Sequence, residues 1–455
     1  MPTAYTILFL LLILVAAATW IIPAGSYDYV DGVPVAGTYH TVEQNPQGVG
    51  DVLKAAFSGF YDAVDVCIFI LMVGGFLGVV MKTGAVDAGV GNVIRLLGGR
   101  EKWLIPILML LFGLGGTTYG MWEETMAFYP LLIPVFLAAG YDAVVGISVI
   151  LLGAGAGVIA STVNPFATGI AAGFAGVSLG EGIVLRLLEG VAFEAAAIWF
   201  VMAYAAKVKK NPSKSVVGVG AGKIQVSMDQ QVSFTAKRKV IMALFTLTFL
   251  IMVYAVVPFD EMGLSLPALG WWFPELSALF LVAGVVIGLI DRMSEEELVE
   301  TYVAGCADLL GVAFIIGISR GITVLMNDGA ITDTVLHWGE QALSGAGAIS
   351  FTLLVFALYL PLTILIPSSS GLATLSIPIV APLGKFAGVG GDLVVTAFQS
   401  ASGLVNIITP TAAVVMGALA LGHVPYDRWV KYVWKLILWF LLLALAFLVA
   451  GVLLG

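Results

Sequence analysis

The chain has 455 residues, of which 60% are hydrophobic and 11% charged, and its formal net charge is −9. Apolar stretches of membrane-spanning length recur from end to end, and no soluble core could bury so much apolar surface, so the composition excludes a soluble globular protein. The two cysteines, Cys67 and Cys306, exclude a disulfide framework, and the three histidines are too far apart in the sequence to predict a metal site.

Nine segments are predicted to cross the membrane as helices. The first has neither a basic n-region nor a small-residue cleavage site, so we interpret it as a retained helix and not as a signal peptide. Two more apolar segments, 103–139 and 348–387, each hold two arms around a small, polar centre, and we predict that they are re-entrant helical hairpins; two full crossings each would leave the orientation unchanged. The nine predicted crossings are residues 5–22, 63–82, 143–175, 185–206, 239–257, 277–291, 308–326, 392–421 and 432–454.

The basic residues indicate which side of the membrane each loop faces. With the N-terminus inside, 16 of the 20 lysines and arginines fall in cytoplasmic loops, and the outside loops contain none. Because lysine and arginine are enriched in cytoplasmic loops, the sequence predicts a multi-pass protein of the prokaryotic cytoplasmic (inner) membrane, with the N-terminus inside and the C-terminus outside. The outside loops are residues 23–50, 176–184, 258–276, 327–347 and 388–391.

Two halves of the chain resemble each other. Residues 54–87 match 300–333 at a nearly constant offset, and the match continues downstream to Pro165 with Pro410. With the topology above the two copies run in opposite directions, so we predict an all-α polytopic membrane protein with two inverted-topology repeats, each with a re-entrant helical hairpin and a broken transmembrane helix. This architecture is typical of secondary transporters, whose substrate site lies where the repeats meet.

The repeat predicts five parts of the chain. They are 1–53, an N-terminal helix with an extracytoplasmic loop; 54–206, the first repeat, with hairpin 103–139 and broken helix 143–175; 207–238, a cytoplasmic linker; 239–299, an additional helix pair; and 300–455, the second repeat, with hairpin 348–387 and broken helix 392–421.

Proline interrupts two of the predicted crossings at matched positions of the repeats. Each proline removes a backbone donor and clashes with the preceding turn. The freed backbone groups and the neighbouring polar side chains are either satisfied internally, as in an ordinary proline kink, or they bind a ligand. Because both breaks are matched and each is accompanied by a polar hairpin tip, we interpret them as a binding site. The polar residues around the prolines are Ser161, Thr162 and Asn164 in the first repeat, and Asn406, Thr409 and Thr411 in the second.

Three ionisable residues lie within apolar sequence. Glu123 and Glu124 are at the centre of the first hairpin, and Arg320 is in the middle of a predicted crossing. Ionisable groups at this depth are costly and usually functional, although a structural ion pair between Arg320 and one of the glutamates would also explain them. Asp62 and Asp308 match between the repeats, and we predict that they cap the entry of equivalent helices.

Four long stretches carry a family resemblance. They are GGTTYGMWEETMAFYPLLIPVFLAAGYDA, STVNPFATGIAAG, IPSSSGLATLSIPIVAPL and NIITPTAAVVMGAL. On these stretches the chain resembles the YfcC-type carriers, which belong with the C4-dicarboxylate anaerobic carriers and the arginine/ornithine antiporter relatives in the ion transporter superfamily. The resemblance extends from residue 21 to the last helix. It implies inverted repeats, unwound helices at the site, an elevator-like movement of a transport domain and usually a homodimer.

The family motif carries over onto both hairpin tips and both breaks. Sodium-coupled relatives have a Ser-Asn-Thr string at the hairpin tips, and this string occurs at neither tip here, so the coupling ion, H⁺ or Na⁺, stays open. No catalytic residue, metal or cofactor is predicted. With Arg320 included, the predicted substrate-binding residues are Thr117, Thr118, Glu123, Glu124, Thr125, Ser161, Thr162, Asn164, Arg320, Ser368, Ser369, Ser370, Thr374, Asn406, Thr409 and Thr411.

These features predict a secondary active transporter with alternating, elevator-type access, and not an enzyme. Two carboxylates beside one guanidinium suit a zwitterion with a basic side chain, so we predict arginine, ornithine or lysine as the solute, moved by exchange or coupled to an ion. A C4-dicarboxylate is the alternative if the glutamates are protonated or paired, and a glutamate could instead carry a coupling proton. The expected partners are the solute, the lipid bilayer and a second copy of the chain, and no nucleic acid.

A membrane-embedded hydrolase is the rival class of function. GVGD at 48–51 and the Tyr61-Asp62 pair resemble motifs of intramembrane aspartyl proteases. Both lie before the core helix of the first repeat and not on two facing crossings, so the sequence favours a transporter. A channel is disfavoured as well, because the polar residues cluster at two tips and two breaks and do not form a continuous lining.

Overall fold

The computed structural model consists mainly of α-helices, which confirms the predicted all-α polytopic fold class. It describes residues 4–30, 33–86, 88, 100–118, 120–178, 180–217, 235–256, 266–271 and 273–454. Arg95 and Lys223 of the predicted cytoplasmic loops lie outside these residues, as do 218–234 of the predicted linker, the last residue of the predicted crossing 239–257, and 258–265 of the predicted outside loop 258–276.

In the first half of the chain, helices alternate with irregular turns at the predicted tip and break. A 3-10 helix, Glu123–Phe128, follows the first arm of the hairpin, and a π-helical turn, Pro165–Gly169, divides the first broken helix. The α-helices are α1 (Ala4–Ala18), α2 (Val49–Asp62), α3 (Val64–Lys82), α4 (Leu104–Thr118), α5 (Tyr129–Ala138), α6 (Ala143–Ile159), α7 (Ile170–Ala175) and α8 (Ile183–Lys210), and Glu101–Trp103 is a further 3-10 turn.

The second half has a similar order of elements: a long helix, two helices joined by a polar segment, and a broken helix. Its α-helices are α9 (Ala236–Val256), α10 (Phe273–Asp291), α11 (Glu295–Asp328), α12 (Thr332–Leu343), α13 (Ala348–Leu365), α14 (Ser369–Ala387), α15 (Gly391–Asn406), α16 (Ala413–Leu421) and α17 (Tyr426–Leu454). The break between α15 and α16 lies at 407–412, and a short 3-10 helix, Pro212–Lys214, follows α8.

Six helices in the described part of the chain are long and apolar enough to cross a membrane, namely α3, α10, α11, α13, α14 and α17. The first hairpin has arms of 15 and 10 residues, about 22 and 15 Å of helix, which is less than the roughly 30 Å of a hydrocarbon core. The arms of the second hairpin have 18 and 19 residues. Arm length therefore agrees with re-entrance for the first hairpin, and for the second hairpin re-entrance stays a prediction.

The predicted outside loop 23–50 contains short strands that the sequence analysis did not anticipate. Gly25–Ser26 pairs antiparallel with His40–Thr41, and Tyr29–Val30 pairs with Val33–Pro34. This β-structure packs on α12 and α14. It therefore covers part of the second hairpin.

Two helices, α2 and α12, lie in segments expected to be loops or entries to crossings. Both are short and amphipathic; the buried residues of α2 lie on one face, and those of α12 lie on one face after its fully buried first turn. A search for apolar stretches of membrane-spanning length does not find such helices, because their apolar residues are not continuous.

The core contains the first halves of the two broken helices. Every residue of α6 is buried, and so is every residue of α15 except Asp392. Beside this core, α3 and α11 cross at glycines: a Cβ added to Gly305 would lie 3.0 Å from the Cα of Gly78. Small residues permit this close approach of two membrane helices.

The predicted capping role of Asp62 and Asp308 is wrong. Asp62 is the last residue of α2, and α3 begins after Ala63 without a side-chain cap. Asp308 lies inside α11, which starts at Glu295, thirteen residues earlier. The start of α11 is capped by Ser294, whose hydroxyl accepts a hydrogen bond from the amide of Glu297 at 3.2 Å.

Candidate transport site

A small cavity lies where the first hairpin tip, α11 and the second break meet. Its volume is about 30 Å³, enough for two or three water molecules. Four of the predicted site residues line it. They are Glu123, Arg320, Asn406 and Thr411, and the other lining residues include Trp122, Ser319 and Pro367. The structure thus brings together one residue of the first tip, the guanidinium of α11 and two residues of the second break.

Arg320 supplies the positive charge of this cavity. Its Nε lies 3.7 Å from Oδ2 of Asp62, and the two side chains are 23% and 50% exposed. The glutamates of the tip form no ion pair with Arg320 within 4 Å, so the structural pair considered from the sequence has Asp62 as its carboxylate. Two helices meet through this contact, because Asp62 ends α2 and Arg320 lies in α11.

The two glutamates of the first tip have different surroundings. Glu124 is buried, and its Oε2 accepts a hydrogen bond from the backbone amide of Trp122 at 3.1 Å. Thr125 is buried beside it, and its hydroxyl donates to the carbonyl of Trp122 at 2.5 Å. These contacts hold the 3-10 turn of the tip, whereas Glu123 lines the cavity. Glu123 is therefore the tip residue that can bind a ligand in this conformation.

The second break presents polar groups to the cavity. The hydroxyl of Ser319 donates to the carbonyl of Thr411 at 2.5 Å, and the hydroxyls of Thr409 and Thr411 are 2.8 Å apart. The side-chain oxygen of Asn406 is buried and has no hydrogen-bond partner among the residues that the structure describes. A buried acceptor without a donor is unfavourable, so Asn406 can accept a hydrogen bond from a ligand.

The backbone of the second break is anchored from α17. Trp429 Nε1 donates to the carbonyl of Ile407 at 3.1 Å, and the Tyr426 hydroxyl donates to the carbonyl of Ile408 at 2.8 Å. These bonds satisfy carbonyl groups that the missing helical turn leaves free. The position of the cavity wall is thus fixed by a neighbouring helix.

The first break is closed by its own side chains and by Thr117 of α4. The amide of Thr162 donates to the hydroxyl of Thr117 at 3.1 Å, and the hydroxyl of Thr162 donates to the carbonyl of Thr117 at 3.0 Å. The Thr168 hydroxyl donates to that of Ser161 at 2.7 Å, and Asn164 Oδ1 accepts from the amide of Ala167 at 3.4 Å. Thr117, Ser161, Thr162 and Asn164 therefore belong to a polar network that does not line the small cavity.

Arg186 of α8 adds a charge beside the first break. Its side chain is buried, and Nη2 donates to the carbonyl of Thr162 at 3.4 Å. Glu189, three positions further along α8, is buried as well. Its Oε1 accepts a hydrogen bond from the hydroxyl of Ser400 in α15 at 2.8 Å. The first break is thus joined to α8, and α8 is joined to α15.

The polar residues of the second tip form hydrogen bonds within the tip itself. The Ser368 hydroxyl caps α14 by accepting from the amide of Gly371 at 3.2 Å and lies 3.4 Å from that of Ser370. The Thr374 hydroxyl donates to the carbonyl of Ser370 at 2.9 Å, and Ser369 is the first residue of α14. In the first hairpin, Thr118 likewise donates to the carbonyl of Leu114 at 2.6 Å. The small cavity reaches this tip only at Pro367.

A second, much larger cavity follows the same two helices. Its volume is about 790 Å³, and it is lined by Asp308, Val312 and Ile315 of α11 and by Met416 and Leu419 of α16. The small cavity is lined by Ile316 and Ser319 of α11 and by Ala413 and Val414 of α16. The large cavity therefore ends next to the small one, because Ile315 and Ile316 are adjacent in α11, and we call the large cavity the vestibule.

Sequence reasoning missed three contributors to the site. Asp62 was taken for a helix cap, and Ser319 and Trp122 were not considered. Ser319 directly precedes Arg320, and Trp122 directly precedes Glu123, so the nearest signal was adjacency to a charged residue inside an apolar segment. Nothing in the sequence predicts that Asp62 would meet Arg320, because the contact joins two distant helices.

Comparison with known proteins places the chain among transporters. A family model described as DcuC, C4-dicarboxylate anaerobic carrier, matches residues 1–453. A Haemophilus influenzae protein described as "Uncharacterized protein" is 35% identical over 503 residues, which cover 99% of this chain and 97% of the relative. An Escherichia coli K12 protein named "Putative basic amino acid antiporter YfcC" is 30% identical over 480 residues, which cover 95% of this chain and 92% of the relative.

Two solved structures are also similar along most of their length. The YdaH transporter of Alcanivorax borkumensis has a TM-score of 0.44 at 15% identity and covers 98% of both chains. MtrF of Neisseria gonorrhoeae, from a class of antimetabolite efflux pumps, has a TM-score of 0.44 at 18% identity, with 98% of this chain and 94% of that chain covered. On the whole-chain family match and the 30% identity to the E. coli relative, the chain belongs to the DcuC family of C4-dicarboxylate anaerobic carriers and is a multi-pass membrane secondary transporter of the DcuC/YfcC group, not an enzyme.

Proposed function

We propose that this transporter moves basic amino acids, with arginine, ornithine and lysine as its solutes, by exchange or by ion-coupled transport. The observation that carries the proposal is the charge around the small cavity. Glu123 and Arg320 line the same space, and Asp62 lies beside Arg320. Two carboxylates and one guanidinium leave an excess of one negative charge, which complements the single positive charge of a basic amino acid at neutral pH.

The proposed binding mode uses each polar group of the cavity once. Arg320 holds the α-carboxylate of the solute, and Glu123 holds its α-ammonium group or side-chain cation, both through charge-assisted hydrogen bonds. The unpartnered oxygen of Asn406 accepts a further hydrogen bond from the solute. Predicted site residues of the first break and second tip would then act on the position of the cavity wall and not on the solute itself.

The small cavity has to enlarge before an amino acid can bind. A volume of about 30 Å³ holds water but not a solute of this size. In the predicted topology the vestibule opens on the cytoplasmic side, because it reaches His423 and Tyr426 between α16 and α17. We propose that solute enters from the vestibule, and that an elevator-type movement of the hairpins and broken helices gives access to the other side.

The relatives support two classes of solute. The E. coli relative is named as a putative basic amino acid antiporter, whereas the family is described as C4-dicarboxylate anaerobic carriers. A dicarboxylate would carry two negative charges into a cavity that already has an excess of one, unless Glu123 is protonated. The cavity charge therefore favours the basic amino acid.

The remaining sequence predictions belong to the same proposal. We propose a homodimer in the prokaryotic inner membrane with the N-terminus inside, five chain parts as predicted, and coupling to H⁺ or Na⁺ where transport is not exchange. The supporting observations are the distribution of lysine and arginine and the family resemblance.

Ligand-induced stabilisation of the purified protein tests the proposed solute. A ligand that binds only the native state at 100 times its Kd raises the free energy of unfolding by about 2.7 kcal/mol. We expect arginine, ornithine or lysine to raise the Tm of the wild type and succinate to leave it unchanged. Glu123→Gln and Arg320→Ala should abolish the increase.

The control is Glu181→Gln, which removes an exposed carboxylate far along the chain from the cavity. This variant should respond to arginine as the wild type does. Stabilisation of the wild type by succinate alone, or an unchanged arginine response in Glu123→Gln, would refute the basic amino acid assignment and favour the dicarboxylate.

A further inference from the structure

Glu194 is a buried carboxyl group for which the proposed solute site has no use. It lies near the middle of α8, its side chain is 8% exposed, and neither Oε1 nor Oε2 has a hydrogen-bond partner among the residues that the structure describes. It is also absent from the ion pairs formed by the described residues. Native proteins satisfy nearly all buried polar side chains, so a carboxyl group with both oxygens unpartnered requires an explanation.

The surroundings of Glu194 are apolar. Its carboxyl group packs against Gly113 of α4, where an added Cβ would lie 2.6 Å from Oε2 of Glu194. It lines a groove of about 310 Å³ between α4 and α8, whose other lining residues include the apolar Leu110, Leu187 and Val191 and the polar Thr117, Thr162 and Arg186. Arg186 lies eight positions before Glu194, about 12 Å along α8, so the residues next to the carboxyl group are the apolar ones.

Titratable residues are scarce on every element that packs against α8. The largest contacts of α8 are with α4, α6, α17 and the 3-10 helix Pro212–Lys214, and α15 is joined to it through Ser400. Helices α4 and α6 contain no titratable residue, and α15 contains Asp392, which lies beside Gly182 and Arg186 at the start of α8. The titratable residues of α17 all lie in its first ten residues, and they are Tyr426, Asp427, Arg428, Lys431, Tyr432 and Lys435.

On α8 itself, the nearest titratable residues are Glu189 and Arg186, five and eight positions before Glu194. Arg186 donates to the carbonyl of Thr162, and Glu189 accepts from Ser400. Tyr204 and the lysines of α8 lie ten or more positions after Glu194, and the Tyr204 hydroxyl donates to Asp142 at 2.6 Å. Lys214 follows the end of α8 in an exposed turn.

A carboxylate in this position would be charged, dehydrated and without a donor, which is strongly unfavourable. A protonated carboxylic acid avoids the cost of the buried charge. Helix α4 is an arm of the hairpin whose tip carries Glu123, and Thr117 of the same helix bonds to the first break. Movement of α4 along α8 would change the access of water to Glu194, and with it the stability of the charged form.

We propose that Glu194 is a proton-binding site that couples proton movement to the displacement of the first hairpin. The carboxyl group is protonated while Gly113 covers it, and it releases its proton to water when α4 moves away. The coupling role rests on the proposed function. Binding of the proton by Glu194 does not, because it does not depend on which solute is carried.

Infrared difference spectroscopy tests proton binding without any solute. Spectra of the purified full-length protein in liposomes, recorded at acidic minus alkaline pH, should show the C=O stretch of a protonated carboxylic acid that is lost in Glu194→Gln and kept in Glu181→Gln. An unchanged difference spectrum in Glu194→Gln overturns the proposal, because Glu194 then binds no exchangeable proton.

Transport into the same liposomes tests the coupling. With one proton moved per solute, a gradient of one pH unit sustains about tenfold accumulation of arginine by the wild type. We expect Glu194→Gln to lose this accumulation while arginine counterflow continues. Equal loss of accumulation and counterflow, or accumulation like that of the wild type, overturns the coupling role. If the wild type does not move arginine at all, the proposed solute is wrong, and the infrared result still decides whether Glu194 binds a proton.

Discussion

The contact between Arg320 and Asp62 allows the charge of the site to be changed without a large change in stability. Asp62→Asn keeps the size of the side chain and removes one negative charge. The paired atoms are 3.7 Å apart, and the two side chains are 23% and 50% exposed. Water screens such a pair, so its loss should lower the free energy of unfolding by at most about 1 kcal/mol. Removal of one partner from a fully buried pair would cost about 3–5 kcal/mol.

The effect of Asp62→Asn on solute choice should be larger than its effect on stability. A cation bound about 8 Å from Asp62 interacts with it by about 1–2 kcal/mol at an effective dielectric constant of roughly 20–40. The loss of that interaction corresponds to an increase of about 5–30-fold in the Kd for arginine. The variant also removes the excess negative charge, so binding of succinate should become stronger or first become measurable.

Isothermal titration calorimetry with arginine and with succinate, combined with thermal unfolding, measures both effects. Asp28→Asn is the matched control, because Asp28 is a 69% exposed aspartate of the predicted outside loop. The reasoning is refuted if arginine binds Asp62→Asn with a Kd within twofold of the wild type. It is equally refuted if the variant loses as much stability as a broken buried pair, since Asp62 would then be a structural residue.

Two further predictions concern stability. Gly305→Ala should lower the free energy of unfolding by about 1–3 kcal/mol, because its new Cβ meets the backbone of α3 where that helix crosses α11. Gly173→Ala is the control and should be close to neutral, because nothing lies within 4 Å of its Cβ. Equal Tm values for the two variants would contradict the close crossing of α3 and α11. Burial and the hydrogen bond to Glu340 raise the pKa of Tyr27 in the predicted outside loop. Because the unfolded pKa is about 10, the contribution of Tyr27 is complete below that pH and is lost as the pH rises above it. Tyr27→Phe should therefore lower Tm at neutral pH and flatten its fall at alkaline pH, and a parallel pH profile for both proteins would show that Tyr27 does not titrate.

The sequence predicted most of the membrane helices because their signals are local. Helix α3 begins within one residue of the predicted crossing 63–82, and both predicted breaks interrupt helices. A continuous apolar run and a proline act on the chain where they occur, so they can be recognised without knowledge of the fold. The helix α2 gave no such signal, since its apolar residues occupy one face only.

The site was predicted less completely because its contacts are not local. Glu123 and Arg320 were selected as ionisable groups inside apolar segments, and Asn406 and Thr411 as polar residues around a proline break. The structure brings all four to one cavity. Asp62 could not be selected in the same way, because it lies at the end of an amphipathic helix where an aspartate is ordinary. Only the crossing of α2 and α11 gives it a role, and that crossing depends on the packing of the whole chain.

The two breaks match in sequence position but differ in chemistry. In the first break, Thr117 and Thr162 satisfy each other, and Arg186 takes a carbonyl group that the broken helix leaves free. In the second break, Asn406 keeps an unpartnered acceptor and Thr411 faces the cavity. The chain therefore opens a helix at two matched sequence positions, and the side chains determine which of the two breaks keeps polar groups free to bind a ligand. Glu123 and Arg320, the charged residues that line the small cavity, have no charged counterparts at the matched positions of the other half of the chain.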